Sequence, residues 1–90
     1  MAKYESPKRI TVSNSNAFMN NLLVSSKRCK EIVLDMKKTT YISSSGIRGL
    51  YSIDWSMKNR GGKGILMQNV NKTILEVLDV TGFIDSFKIV

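Results

Sequence analysis

Three consecutive hydroxyls followed by a glycine, Ser43, Ser44, Ser45 and Gly46, stand between an apolar run and a stretch with helical spacing. One serine in that place caps a helix by accepting a backbone N–H through its side-chain oxygen, and Ser43 and Ser45 are each placed to do so. One cap needs one serine. The remaining hydroxyls sit at a helix start, where unpaired N–H groups and the positive end of the helix dipole best tolerate an added phosphate. The chemistry open to them is therefore regulatory modification, and Gly46 leaves room for another backbone to come close.

The other reactive side chains support less. Cys29 lies between Arg28 and Lys30, which favours a thiolate, but the chain has no histidine to serve as its base. Glu31, Asp35 and Asp54 form no acid–base pair at a useful spacing and no metal-ligand cluster, so neither catalysis nor a bound metal or cofactor is expected. Asp35 reads as a turn former at a strand end. The glycines at 61, 62 and 64 around Lys63 imitate a phosphate loop in the wrong order, closing a helix before a strand instead of opening one after it. Tyr51 and Trp55 share the second helix, where they pack or, if exposed, anchor a partner protein.

These residues are positioned by a regular alternation of elements. Arg9 to Val12 is a short strand candidate, and Ser13, Asn14, Ser15 and Asn16 form a capping cluster before a helix whose stripe is Phe18, Met19, Leu22 and Leu23. Ile32, Val33 and Leu34 are consecutive, the pattern of a strand covered on both faces. Ile47, Leu50, Ile53 and Met57 restore the helical period from about residue 45 to 59, and GILMQNV supplies a second buried strand. Asn71 to Asp79 is a third helix, followed by a break at Gly82 and an apolar end at Phe87, Ile89 and Val90. Strands separated by single helices lie parallel through right-handed crossovers, so the class is α/β, a small, mainly parallel sheet flanked by helices. Residues 1–8 read as a flexible tail and 9–90 as a single domain.

With 90 residues the chain has one small core and little room for a deep cavity. No apolar run approaches the ~20 residues of a membrane span, no signal peptide is recognisable, and a single cysteine suits a cytoplasmic setting. The formal charge of +7 gathers in small groups at Lys27, Arg28 and Lys30, at Lys37 and Lys38, and at Lys58, Arg60 and Lys63, all near loops. This reads as solvated loop charge. A nucleic-acid surface would want those groups on one face with stacking aromatics, so nucleic acid ranks last among the partners.

EIVLDMKKTTYISSSGIRGL and NRGGKGILMQNVNKTILEVLDVTGF resemble the STAS domain, and more narrowly the bacterial anti-sigma factor antagonists. The shared features are the strand ending in Asp35, the Y-I-x-S-S-G turn, the glycine pair before the next strand and the V-L-x-V-T-G-F ending at Phe83. The resemblance implies a binding module that captures a serine kinase anti-sigma factor, frees a sigma factor, and is switched off by phosphorylation and restored by a phosphatase. Aligned on Gly46, the acceptor is Ser44, with Ser43 and Ser45 as alternatives, and Ser43 occupies the place of the family's usual aspartate. The partner surface it implies comprises Ser43, Ser44, Ser45, Gly46, Ile47, Arg48 and Tyr51. Family members open with two strands where this chain shows room for one, a shortened start that leaves a sheet edge bare for self-pairing into a homodimer. The alternative within the family is a subunit of a lipid or anion transport complex.

Overall fold

In a computed structural model, which describes residues 2–11 and 16–90, the run Ile32–Leu34 lies in the centre of a sheet. Its strand, Glu31–Asp35, is the third of six among the described residues, and the elements in chain order are β1 (Ala2–Glu5), β2 (Arg9–Ile10), α1 (Asn16–Ser26), β3 (Glu31–Asp35), β4 (Tyr41–Ile42), α2 (Ser44–Asn59), β5 (Gly64–Gln68), α3 (Lys72–Val80) and β6 (Lys88–Ile89). The main sheet has the order β1-β3-β5-β6 with every neighbouring pair parallel, and β2 pairs with β4, also parallel, in a second small sheet. This is the α/β architecture that the alternation of periods dictates.

Register sorts the strand residues by face. Ile32 pairs with Ile65 and Leu34 with Met67, and these four join Leu22 of α1, Ile47, Leu50, Ile53 and Met57 of α2, and Ile74 and Leu78 of α3 in one buried cluster. Val33 and Leu66 stand between them in sequence and so point the other way, as a strand period of two requires. They share a row with Lys3 and Lys88 and lie outside the cluster, Val33 buried and Leu66 half-buried. All three described helices contribute to the cluster that holds Ile32 and Leu34, and Val33, on the other face, is buried as well.

The amino-terminal segment departs most from expectation. Residues 2–5, read as part of a flexible tail, form β1, with Ala2 opposite Ile32 and Glu5 opposite Asp35. The alternation Lys-Tyr-Glu explains both the strand and why it is easily missed. Tyr4 turns inward to pack on the core and hydrogen-bonds the Ser25 hydroxyl, while Lys3 and Glu5 face solvent on an edge strand. The chain thus has two strands before its first helix. The edge of β3 is occupied by β1, which removes the bare edge on which the homodimer expectation rested. β4 was not foreseen either, although Thr39, Thr40, Tyr41 and Ile42 are all residues favoured in strands. Leu23, expected in the α1 stripe, is 43% exposed. Of the capping cluster at residues 13–16, residues 13–15 lie outside the described residues, and Asn16 opens α1.

Asp54, buried in α2, ties that helix to the next strand. Its carboxylate accepts the Ile65 N–H at 2.7 Å and pairs with Lys58 at 2.9 Å. Gly64, at φ +85°, packs against this carboxylate so closely that a side chain at that position would collide with it. A buried charge held in this way is satisfied by a bond and by an ion pair, as burial demands.

Substitution by alanine reads out the single-faced core. Leu34→Ala removes a fully buried side chain and should lower unfolding free energy by about 2–5 kcal/mol, whereas Leu23→Ala should change it by about 0.5 kcal/mol or less. Urea unfolding monitored by circular dichroism measures both; comparable losses at the two positions would contradict the packing described.

Candidate functional site

The serine turn is suspended from β4 and braced by the amino-terminal segment. Tyr41 and Ile42 pair with Arg9 and Ile10, and the Arg9 guanidinium lies 4.7 Å from the centre of the Tyr41 ring. Just before β4, the Thr40 N–H donates to the Lys8 carbonyl at 2.8 Å. The buried Thr39 hydroxyl donates to the Pro7 carbonyl at 2.7 Å and hydrogen-bonds Ser6. From the other side, the Asn71 side-chain amide donates to the Thr39 carbonyl at 2.7 Å. The strand leading into the turn is thereby fixed at both flanks.

Each serine has a distinct place. Ser43 is the cap: its backbone is extended, its Oγ accepts the Gly46 N–H at 3.0 Å, and its carbonyl accepts the Ile47 N–H at 3.0 Å. Its own N–H donates to the Ile10 carbonyl at 2.9 Å. Ser45 is exposed, with its Oγ 3.1 Å from that of Ser43. Ser44 is the first residue of α2, exposed, and among the described residues its hydroxyl makes no hydrogen bond. The first turn of α2 carries no acidic residue, so nothing there repels an added anion.

The two residues after the serines serve the fold. Gly46 and Ile47 are buried, which corrects the expectation that they face a partner. A Cβ on Gly46 would lie 2.8 Å from the Ile10 carbonyl oxygen, so the backbone it admits is this chain's own β2. What α2 presents outward is Ser44, Arg48, Tyr51 and Trp55, whose spacings of four, three and four place them on one helix face. Tyr51 is 38% exposed and is held against Phe83 with ring centroids 5.2 Å apart. Trp55 is 57% exposed. It was seen in the sequence only as one of two open readings; the stripe shared with Ser44 is the signal that would have added it to the candidate surface.

Asp35 ends β3 as the turn former expected of it. Its carboxylate accepts the Asn69 side-chain amide at 3.0 Å and the Lys37 N–H at 3.0 Å, and these bonds hold its carboxyl below the ordinary aspartate range. Cys29 is half-buried in the loop before β3, at the opposite end of the sheet from Asp35. Among the described residues no helix is long and apolar enough to cross a membrane.

The family model for the STAS domain matches residues 3–90 of the chain. No curated protein sequence matches it. Among solved structures, the protein TM1081 is similar with a TM-score of 0.81 and 20% identity, over 98% of this chain and 71% of that one. The anti-sigma factor antagonist SpoIIAA in its unphosphorylated form gives 0.79 and 10%, over 98% and 77%. SLC26A9 gives 0.63 and 17%, over 96% of this chain and 16% of that much longer one. At these identities the structural likenesses speak for the fold alone.

Two substitutions separate the support of the turn from its chemistry. Gly46→Ala forces a methyl onto the Ile10 carbonyl and should destabilise by about 1–3 kcal/mol, more than the roughly 1 kcal/mol expected for losing the cap in Ser43→Ala. Urea titration of both variants checks the order, and a harmless Gly46→Ala would show that β2 does not press on α2. Because the bonds to Asp35 depress its carboxyl, their stabilising effect is complete above the unfolded-state value near 3.8 and is lost as pH falls through the lower folded-state value. Asp35→Asn should therefore give a shallower loss of stability as pH falls below 3.8 in acid titrations followed by circular dichroism, with a parallel acid limb in both proteins as the contrary result.

Proposed function

Because the chain belongs to the STAS family, we propose that it is a phosphorylation-controlled anti-sigma factor antagonist acting in the cytoplasm. Unmodified, it binds a serine kinase anti-sigma factor and releases the sigma factor that the kinase holds. The kinase then transfers a phosphoryl group from its nucleotide to Ser44 Oγ, the hydroxyl proton leaving to a base of the kinase, and a phosphatase reverses the step by hydrolysis. The chain binds and is modified; it supplies no catalytic group of its own.

The observation that carries this reading is the Ser44 hydroxyl: exposed, unbonded among the described residues, and at the amino terminus of α2, while Ser43 is committed to the cap. The fold likeness to SpoIIAA supports it. A phosphate on Ser44 adds about −1.5 to −2 charges and three strong acceptors at pH 7. The α2 N–H groups and Arg48, one turn along, can receive it by charge-assisted bonds. Its effect falls on the interface, because a charge desolvated against an unmatched partner surface opposes binding. Tyr51 and Trp55, on the same helix face, supply aromatic anchors for that partner.

Ser44→Asp should keep the native circular dichroism spectrum and lose the kinase partner; Ser44→Ala should fold, bind and resist phosphorylation. Isothermal titration with the cognate kinase and mass spectrometry of the reacted chain measure these outcomes. Phosphate found on Ser43 or Ser45 moves the acceptor by a residue. No modification of the turn together with normal binding by Ser44→Asp overturns the switch and favours the transport-subunit alternative.

A further inference from the structure

We propose that the end of the molecule opposite the serine turn carries a binding pocket for a phosphate ester. The fold brings together two segments that the sequence keeps apart, residues 26–30 running from the end of α1 to β3 and residues 57–63 running from the last turn of α2 to β5. They precede neighbouring parallel strands and are joined across by the Lys63 N–H, which donates to the Lys30 carbonyl at 2.7 Å, and by the Arg60 guanidinium, which donates to the Ser26 carbonyl. Between them lies an open cavity of about 220 Å³. Lys27, Arg28, Lys30 and Arg60 line it, with the buried Met57 among its walls, and no acidic residue does.

The charge of this end is out of proportion to its size. These two segments, the last turn of α2 included, hold six of the 14 basic residues, Lys27, Arg28, Lys30, Lys58, Arg60 and Lys63, and no aspartate or glutamate, against a net charge of +7 for the whole chain. Lys58 is occupied by Asp54; the other five have no carboxylate within ion-pairing distance among the described residues. Like charges gathered around one cavity repel one another, and an anion bound there relieves that repulsion. Four cations at one cavity call for more than the single charge of a carboxylate. A phosphate ester brings up to two charges and several acceptor oxygens, matched to the fork of an arginine and the point charge of a lysine. The site is independent of the serine turn, so it stands or falls separately from the proposed antagonism.

Chemical-shift mapping of the full chain with inorganic pyrophosphate at low ionic strength tests the pocket. We expect saturable shifts confined to amides of residues 26–30 and 57–64. Replacing Arg28 and Lys30 together by glutamine should weaken binding about tenfold, and replacing Lys37 and Lys38 at the other end of the sheet should leave it unchanged. Shifts spread over lysines at both ends, or equal affinity of the two double variants, overturn the proposal. A second arm identifies the source of the phosphate. Cosedimentation with phosphatidylglycerol vesicles and not phosphatidylcholine vesicles, displaced by pyrophosphate, assigns a lipid headgroup. No cosedimentation with pyrophosphate binding intact assigns a soluble phosphate ester. Vesicle binding that pyrophosphate does not displace overturns the pocket.

Discussion

The contact on which the functional end depends is the approach of the first turn of α2 to the backbone of Ile10. It needs a residue without a side chain at position 46, because a Cβ there would meet the Ile10 carbonyl oxygen at 2.8 Å. That same carbonyl accepts the Ser43 N–H, so one backbone oxygen sets both the strand-side and the helix-side position of the turn. Once Ser43 is held, its hydroxyl faces the Gly46 N–H and becomes the cap. The hydroxyl of Ser44 is then left exposed and without a hydrogen bond among the described residues. A chain of local constraints, each ordinary in strength, leaves one serine of three free for chemistry.

This arrangement makes the amino-terminal residues part of the site although none of them is chemically reactive. Ser6, Pro7 and Lys8 hold Thr39 and Thr40, and Arg9 and Ile10 form the partner strand for Tyr41 and Ile42. β2 and β4 are only two residues long, far below the length at which a strand pair is stable alone, and they persist because the core under Ile10, Ile42 and Ile47 is already buried. The precision of the serine turn is thus derived from the hydrophobic cluster, and it reaches the surface through backbone hydrogen bonds.

What was legible in the sequence follows the length and purity of each periodic signal. The runs at Ile32–Leu34 and Ile65–Met67, and the stripe Ile47, Leu50, Ile53, Met57, are long enough to fix element type, and parallel pairing follows from their alternation. The serine turn at the start of α2 was legible because three serines exceed what a cap needs. β1 was not, since the flanking charges Lys3 and Glu5 mask the signal of Tyr4, which packs on the core. β4 was hidden by its brevity. The burial of Gly46 and Ile47 could not be read either, because it depends on where β2 lies, a contact spanning more than thirty positions of the chain. The meeting of the 27–30 and 58–63 basic groups is of the same kind: sequence shows two clusters, and only the pairing of β3 with β5 makes them one surface.

A parallel sheet makes such polarity natural. All its strands point one way, so every loop that enters a strand gathers at one end and every loop that leaves a strand gathers at the other. Asp35, Asn69 and the serine turn follow strands; Lys30 and Lys63 precede them. Events at the two ends are separated by the length of the strands and by a core of close-packed side chains. Under the proposed switch, a phosphate on Ser44 would add charge beside exposed groups without entering that core, so the fold would have no reason to yield and the proposed interface would bear the effect. In a domain this small, where one buried leucine is a large share of the total stability, a switch placed inside the core would be read as unfolding. The proposed switch sits instead on an exposed helix start, held by a backbone bond to β2, where an added charge would be read as a change of partner.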